Sequence, residues 1–337
     1  MTISRQILLA SRPHGEPTPA NFSIVDTPLG EPGPDQVLLK IRYLSLDPYM
    51  RGRMSDAKSY AAPVPVGGVM EGGTVGEVLV SNSERFRPGD IVLSHSGWQS
   101  HAIADASTLR KIDPDAAPIS TALGVLGMPG MTAYTGLLTI GQPKPGETVV
   151  VAAATGPVGS AVGQIAKIKG ARAVGIAGGP DKARALTEEF GFDVGLDHRS
   201  PTFRDDLKTA CPDGIDVYFE NVGGHVFDAV MPLLNFFARI PVCGVIAQYN
   251  ATSLPDGPDR LPLLMRDILT KRLTFRGFIV RDFADQSKDF FRDMSQWIRE
   301  GKVRYREDVV EGLDKAPEAF IGLLKGKNFG KLVVTVS

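Results

Sequence analysis

The stretch Glu147–Ala154 is apolar almost throughout and runs directly into Thr155-Gly156-Pro157-Val158-Gly159-Ser160, with a further glycine at 163. An apolar run without alternation reads as a strand covered on both faces. Beyond the turn, Val158, Ala161, Val162, Ile165 and Ala166 recur at helical spacing. No other feature narrows the fold as much. Missing Cβ atoms let main-chain amides approach a pyrophosphate, and the helix N-terminus favours its negative charge. The same glycines would also serve close helix–sheet packing, so the strand–turn–helix setting, rather than the spacing alone, marks a dinucleotide site.

Strand and helix patterns then alternate. Arg172–Ala177 reads as strand, Asp181–Phe190 as helix, Ile215–Glu220 as strand and His225–Leu234 as helix. Ala238–Ile246 follows as strand, Leu261–Lys271 as helix and Leu273–Val280 as strand. This rhythm predicts a parallel, doubly wound Rossmann sheet with right-handed crossovers. The first third differs. It is rich in Gly and Pro, with short β-type runs at Gln36–Tyr43, Gly73–Val80 and Asp90–Leu93 separated by turns such as Arg87-Pro88-Gly89-Asp90. That texture predicts an antiparallel, partly open barrel. A long amphipathic helix at Gln286–Glu300 precedes short strands at Lys302–Val310 and Lys331–Val336, which flank a helix near Asp314–Lys325. The tail reads as returning to complete the first domain. The 337 residues fit two domains: a catalytic domain of residues 1–125 and 301–337, and a dinucleotide-binding domain of residues 126–300.

The second strand decides which dinucleotide is expected. An NAD site usually places an acid about 20 residues past the first glycine, against the ribose hydroxyls. Here the sequence is Gly175-Ile176-Ala177-Gly178-Gly179-Pro180-Asp181-Lys182, and no acid closes the strand. The open glycines leave room for a 2′-phosphate, and Lys182 can supply its counter-charge. Asp181 fits better as a first-turn residue complementing the helix dipole. Lys182 also suits a solvated helix face. NADPH is the expected cofactor.

Charge and cysteine usage exclude several classes. The formal net charge is −1, which gives no general pull toward nucleic acid or anionic lipid. No stretch approaches a membrane span, the apolar run at the start is too short for a secretory signal, and the chain reads as cytoplasmic. Cys211 and Cys243 are too few for a disulfide framework, and Cys243, within the apolar run Ile240–Ile246, reads as a buried, inert thiol. His95 and His101 are close in sequence but lack a Cys partner, and no Ser/His/Asp or Cys/His nucleophilic arrangement stands out.

Several longer strings resemble the zinc-free branch of the medium-chain dehydrogenase/reductases, the group of prostaglandin reductases, 2-alkenal reductases and microbial curcumin reductases. They are Tyr43-Leu44-Ser45-Leu46-Asp47-Pro48-Tyr49-Met50-Arg51, Gly127-Met128-Pro129-Gly130-Met131-Thr132-Ala133-Tyr134, the glycine turn, Phe219-Glu220-Asn221-Val222-Gly223-Gly224, Cys243-Gly244-Val245-Ile246-Ala247-Gln248-Tyr249-Asn250 and Lys327-Asn328-Phe329-Gly330-Lys331. The similarity spans essentially the whole chain. It implies a Rossmann domain nested in a GroES-like barrel domain. It also implies that Pro157, Val158, Gly159 and Ser160 hold the pyrophosphate and that Lys182 holds the 2′-phosphate. His198 stands where the group usually has Tyr beside that phosphate. Asn221, the segment Cys243, Gly244, Val245, Ile246, Ala247, Gln248 and Tyr249, the strand end Phe278, Ile279 and Val280, and Asn328 would line the path from adenine to nicotinamide. Homodimers are common in the group. Zinc-dependent relatives carry Cys and Gly-His-Glu elements where this chain has Leu44-Ser45-Leu46-Asp47 and Gly67-Gly68-Val69-Met70-Glu71-Gly72, so no metal is expected.

The resulting expectation is an NADPH-dependent reductase that saturates the C=C bond of α,β-unsaturated ketones or aldehydes, with hydride passing to the β-carbon. Tyr249, at the carboxyl end of a strand, would bind the carbonyl oxygen as it gains charge. Tyr49 is the second candidate and also suits packing on the barrel wall. Arg51 and Arg53 could meet acidic substrates or be solvated. Tyr49, Met54, Tyr60, Tyr249 and parts of Leu254–Leu264 are the expected pocket lining. A quinone reductase and a noncatalytic NADPH-binding sensor remain as alternatives.

Overall fold

In the computed structural model, which describes residues 1–336, the N-terminal residues pair first. β1 (Thr2–Leu9) and β2 (Phe22–Leu29) form an antiparallel two-stranded sheet with Thr2 opposite Leu29. β3 (Gln36–Ser45) follows, then a single helical turn, α1 (Met50–Arg53). The next strands are β4 (Thr74–Ser81), β5 (Ile91–Ser94), β6 (His101–Asp105) and β7 (Arg110–Ile112). All pairings among β3 to β7 are antiparallel, as the short, turn-punctuated runs predict.

The chain divides into two units, Met1–Gly124 together with the segment from Glu307 onward, and Val125–Arg306. The second unit opens with α2 (Met128–Thr135) and continues through β8 (Thr148–Ala152), α3 (Pro157–Ile168), β9 (Arg172–Ala177), α4 (Pro180–Glu188) and β10 (Val194–Asp197). It then adds α5 (Phe203–Ala210), β11 (Ile215–Phe219), α6 (Gly224–Val230), β12 (Leu234–Val242), α7 (Leu261–Lys271), β13 (Thr274–Gly277) and α8 (Ser287–Arg299). The six strands are parallel, in the order β10-β9-β8-β11-β12-β13. That is the doubly wound order whose topological switch lies between β8 and β11, where ligands bind outside the strand ends. All five residues of β8 are buried, as its unbroken apolar sequence requires.

The first unit closes with β14 (Glu307–Glu311), α9 (Ala316–Leu324) and β15 (Lys331–Thr335). β15 pairs antiparallel with β3 and parallel with β14, giving the order β14-β15-β3-β4-β5-β7 with β6 also on β3. Trp98 anchors the core of this unit, stacked on Phe22 at 5.7 Å and edge-on to Phe320 at 5.7 Å.

Four expected elements shift, among them the strand expected at Lys302–Val310, which begins only at Glu307. The helix expected to reach Leu234 stops at Val230, and β12 starts at Leu234 and ends at Val242 rather than running to Ile246. It ends there because the Cys243 and Gly244 amides turn aside to donate to the Glu220 carbonyl at 2.9 and 3.2 Å. β13 ends at Gly277, and Phe278 leaves the sheet to place its ring against Phe219. β10 and α5 were not apparent in the sequence pattern. The strand is only four residues long and three of them are half-buried, which weakens any periodic signal.

Candidate active site

The glycine turn forms a cradle at the mouth of the switch point. Ala153 takes φ 52°, a left-handed conformation rare in a residue with a Cβ. Its carbonyl accepts the Gly156 amide at 3.0 Å, and α3 then starts at Pro157, a residue with no amide hydrogen to leave unsatisfied. A Cβ on Gly159 would overlap the Ala153 carbonyl oxygen and stand 2.7 Å from the Ala154 Cα, so this position tolerates only glycine. Gly163 has a different duty. A Cβ there would strike the Phe192 ring, so it serves close packing of the helix on the connection between α4 and β10. The first-turn amides of α3, unsatisfied within the helix, and the main chain's close approach at Gly159 fit a pyrophosphate.

At the end of β9 the main chain is open. Gly178 and Gly179 follow the strand, and Lys182 stands in the first turn of α4. Asp181 is exposed and paired with Arg184 at 2.6 Å, consistent with a surface role. One carboxylate does approach, from the neighbouring strand: Asp197 Oδ1 accepts the Gly179 amide at 2.7 Å and the Arg199 amide at 2.9 Å. These amides, over the cost of burial, hold its carboxyl below the usual range. His198 lies beside this end. Its Nδ1 is 3.0 Å from Nε2 of His225, on α6. A Cβ on Gly178 would lie 3.0 Å from His198 Nε2 and 3.2 Å from both Nε and Nη2 of Arg199. Arg199 and His225 were missed from sequence, because only the juxtaposition of β9, β10 and α6 brings them to Gly178.

Across the switch point, the loops after β11 and β12 are bound together. Asn221 Nδ2 donates to the Ala152 carbonyl at 2.8 Å, tying the β11 end to the β8 end. The Asn221 and Val222 carbonyls accept the Ile246 and Ala247 amides at 3.3 and 3.0 Å. Gly223 and Gly224 take φ 76° and 58°, which suits them to this sharp entry into α6. Glu220, only 2% exposed, holds the turn: its Oε1 accepts the Val222 and Gly223 amides at 2.6 and 2.9 Å. Burial keeps the Glu220 carboxyl above the usual range despite those amides and the neighbouring Tyr218 phenol. Glu220 was not singled out as a site residue, although its motif was. The Cys243 residue is half-buried, with its thiol turned into the interior. Burial and Glu220 push its thiol up to about 12, so it is inert as expected of it.

Val245 to Gln248 form a short turn, with Ile246–Gln248 in a 3-10 helix that brings Tyr249 back toward the strand end. A Cβ on Gly244 would stand 3.1 Å from the Tyr249 hydroxyl and 3.5 Å from the Asn221 carbonyl. The half-buried Tyr249 phenol therefore sits at the carboxyl end of β12, over Gly244. Phe278 packs edge-on against Phe219 at 6.2 Å and Phe283 at 6.0 Å, and Ile279 and Val280, half-buried, lead into the turn at 280–286. Leu254 and Leu261 are exposed.

In the first unit, Tyr49 immediately precedes α1 and is half-buried. Arg53 lies over its ring at 5.5 Å and over that of Tyr60 at 4.5 Å, while its Nε donates to Glu71 Oε1 at 2.7 Å. Burial, then the Asp47 and Glu71 charges, hold the Tyr49 phenol far above its ordinary value, so it is protonated at neutral pH. Arg51 and Arg53 are buried, not solvated, and Arg51 donates to the Gly15 carbonyl at 2.8 Å. Met54 lies fully within the core. Asp47 accepts from Ser45 and from Lys331, whose Nζ is 2.6 Å away and also donates to the Leu46 carbonyl at 2.9 Å. Asn328 Nδ2 donates to the Gly330 carbonyl at 2.9 Å. Among the described residues, no group of three or more His, Cys, Asp or Glu side chains could hold a metal ion.

A parallel sheet in this strand order with a pyrophosphate cradle, joined to a mainly antiparallel unit, defines a nicotinamide-dependent oxidoreductase of the medium-chain dehydrogenase/reductase class. Residues 5–112 match the family described as the N-terminal domain of oxidoreductase, and residues 157–300 that described as zinc-binding dehydrogenase. The chain is 58% identical over 335 residues to the NADPH-dependent curcumin reductase of Escherichia coli, covering 99% of this chain and 97% of that one. It is 43% identical to prostaglandin reductase 1 of Rattus norvegicus over 95% of both chains. The crystal structure of CurA from Vibrio vulnificus in complex with NADPH superposes with a TM-score of 0.96, at 56% identity and 99% coverage of each chain. The chain belongs to the zinc-independent branch of the medium-chain dehydrogenase/reductase family.

Proposed function

We propose that this protein is an NADPH-dependent reductase of the C=C bond in α,β-unsaturated ketones or aldehydes. The observation that carries this reading is the 58% identity, over 99% of the chain, to an NADPH-dependent curcumin reductase. Bound NADPH supplies hydride to the substrate β-carbon. The chain's own contribution is binding, orientation and charge. Pro157, Val158, Gly159 and Ser160 hold the pyrophosphate, and Lys182 and His198 flank the 2′-phosphate. Asn221, Cys243–Tyr249, Phe278–Val280 and Asn328 line the remainder of the dinucleotide. As the carbonyl oxygen gains charge, the Tyr249 hydroxyl donates a hydrogen bond that strengthens toward the transition state. Tyr49, kept as a neutral phenol by its neighbours, is a second donor for substrate. Residues 1–125 and 301–337 serve as the catalytic domain, and residues 126–300 as the dinucleotide-binding domain.

The assembly is a homodimer in the cytoplasm. Phe236 and Phe237, exposed beneath Arg272 near the free sheet edge at β13, offer apolar surface to a second copy. No helix is long and apolar enough to cross a membrane among the described residues. The test is NADPH consumption by purified protein on addition of enals, enones, curcuminoids and quinones in turn. Turnover of enones with product saturated at the C=C bond supports the reading. Faster turnover of quinones than of any enone replaces it with a quinone reductase, and binding of NADPH without turnover of any substrate replaces it with a sensor.

A further inference from the structure

The chain between Met54 and Val64 forms a loop that is closed at its base and unsupported at its tip. The Val64 amide donates to the Arg53 carbonyl at 2.8 Å, and the Arg12 guanidinium bridges the Met54 and Val64 carbonyls at 3.1 Å each. Ends held this close define a compact surface loop. Past Ala57 the support stops: among the described residues, none from Lys58 to Pro63 makes a hydrogen bond. The tip nonetheless rests an aromatic ring on a buried cation. Tyr60 is 52% exposed, yet its ring lies 4.5 Å from the Arg53 guanidinium, a residue only 4% exposed. Resting on the reductase reading above, we propose that Arg53 is a positioning residue. Anchored by Glu71, it holds Tyr60 beside Tyr49 as a stacking wall that favours unsaturated carbonyl substrates bearing an aryl group.

One guanidinium serves both tyrosines, since Arg53 also lies 5.5 Å from the Tyr49 ring. Its orientation is fixed from outside the loop, where Nε donates to Glu71 Oε1 at 2.7 Å. Burial has removed water from the cation, which strengthens its attraction to a ring face. The planar group can stack on a ring while its edge is bonded to a carboxylate, and an ammonium cannot do both. The two tyrosines differ in how far they depend on it. Tyr49 leads directly into α1, its carbonyl accepts the Gly52 amide at 2.9 Å, and its ring packs on the core of this unit. Tyr60 has none of these supports. Loss of the cation therefore frees Tyr60 and leaves Tyr49 in place. A ring ordered before the substrate arrives has already lost its freedom, so stacking an aryl group on it costs less entropy. Offset or edge-to-face packing then adds attraction beyond the buried area. A small enone has no ring to stack and gains nothing from the wall.

Steady-state kinetics at saturating NADPH with two enones, benzylideneacetone and methyl vinyl ketone, read this directly. Arg53→Met keeps the stem and removes the cation. It should raise KM for benzylideneacetone about fivefold, with turnover changed by less than about twofold. Neither constant for methyl vinyl ketone should move by more than about twofold. Tyr60→Leu should give the same selective rise, and Tyr60→Phe, which keeps the ring, should match the wild-type protein. The double variant Arg53→Met, Tyr60→Leu should be no worse than either single one, because the two residues act as a unit. Glu71→Ala removes the anchor from a side chain that is 40% exposed, and it should show the same selectivity even where Arg53→Met fails to fold. The proposal is overturned if KM for benzylideneacetone is unchanged in Glu71→Ala and Tyr60→Leu, if both enones lose equally, or if the two single effects multiply in the double variant. Wild-type protein that turns over neither enone removes the reductase reading itself, which separates that failure from failure of the Arg53 assignment.

Discussion

Asp47 in the first unit and Glu220 in the second are both buried carboxyl groups, and they are stabilised by opposite means. Asp47 faces the ammonium of Lys331, a residue 284 positions away along the chain. Glu220 faces two amides no more than three positions away, Val222 and Gly223, and burial rather than a cation dominates its ionisation. The first arrangement ties the last strand to the loop carrying Tyr49. The second shapes a local turn onto which the loop carrying Tyr249 is hydrogen-bonded. A long-range pair fails when either partner is lost, because the other charge stays buried. A turn held by a nearby acceptor needs only that acceptor.

That difference is most exposed by Lys331→Met. It leaves Asp47 buried without its cation and should cost about 3–5 kcal/mol of stability, read by urea unfolding of the first unit. A loss below about 1 kcal/mol would show that the pair is solvated in solution. Glu220→Ala strands two amides and should cost about 2–3 kcal/mol, while Glu220→Gln, which keeps the acceptor, should recover most of it. The pH dependence sharpens this. A carboxyl raised above its unfolded value adds stability at low pH, and that stability is lost as pH rises through the folded value. Glu220→Gln should therefore gain stability relative to the wild-type protein as pH rises from about 5 to 9, measured by melting temperature against pH. The opposite trend would mean that the carboxylate, not the acid, suits the turn.

Smaller effects separate charge reading from orientation in the dinucleotide half. Lys182→Ala should raise the NADPH Michaelis constant at least about tenfold, from a charged contact of about 1.5–3 kcal/mol, with NADH use nearly unchanged. An equal loss with both cofactors would point to a folding defect. Tyr249→Phe keeps the ring over Gly244 and deletes the hydroxyl. Turnover should drop roughly tenfold, about 1.4 kcal/mol, with substrate affinity and NADPH binding less affected. Unchanged turnover there, with a large loss in Tyr249→Ala, would reduce the residue to shaping its loop. Dialysis against a strong chelator should leave turnover unaltered, and elemental analysis should find well under about one zinc per chain. Chelator-sensitive turnover with stoichiometric zinc would overturn the zinc-independent assignment.

The sequence by itself determined the doubly wound unit, its cradle and the absence of an acid within the end of β9. Each of these is a local property of the main chain: an unbroken apolar strand, glycines where a Cβ would collide, and a helix starting at a proline. It did not place Phe278–Val280 correctly. Phe278 leaves the sheet to meet Phe219, which is 59 positions earlier, and no local pattern encodes that contact. Arg51 and Arg53 read as surface charges because their carbonyl, carboxylate and ring partners lie elsewhere in the chain. The tertiary structure alone decided which side chains share a site: Lys331 with Asp47, Arg53 with Tyr49, Tyr60 and Glu71, and His225 with His198 and Arg199 at Gly178. Backbone conformation is set largely within a few residues and leaves its mark on sequence spacing. Side-chain constellations depend on strand order and helix placement, which bring distant residues within hydrogen-bonding distance only after the chain has folded.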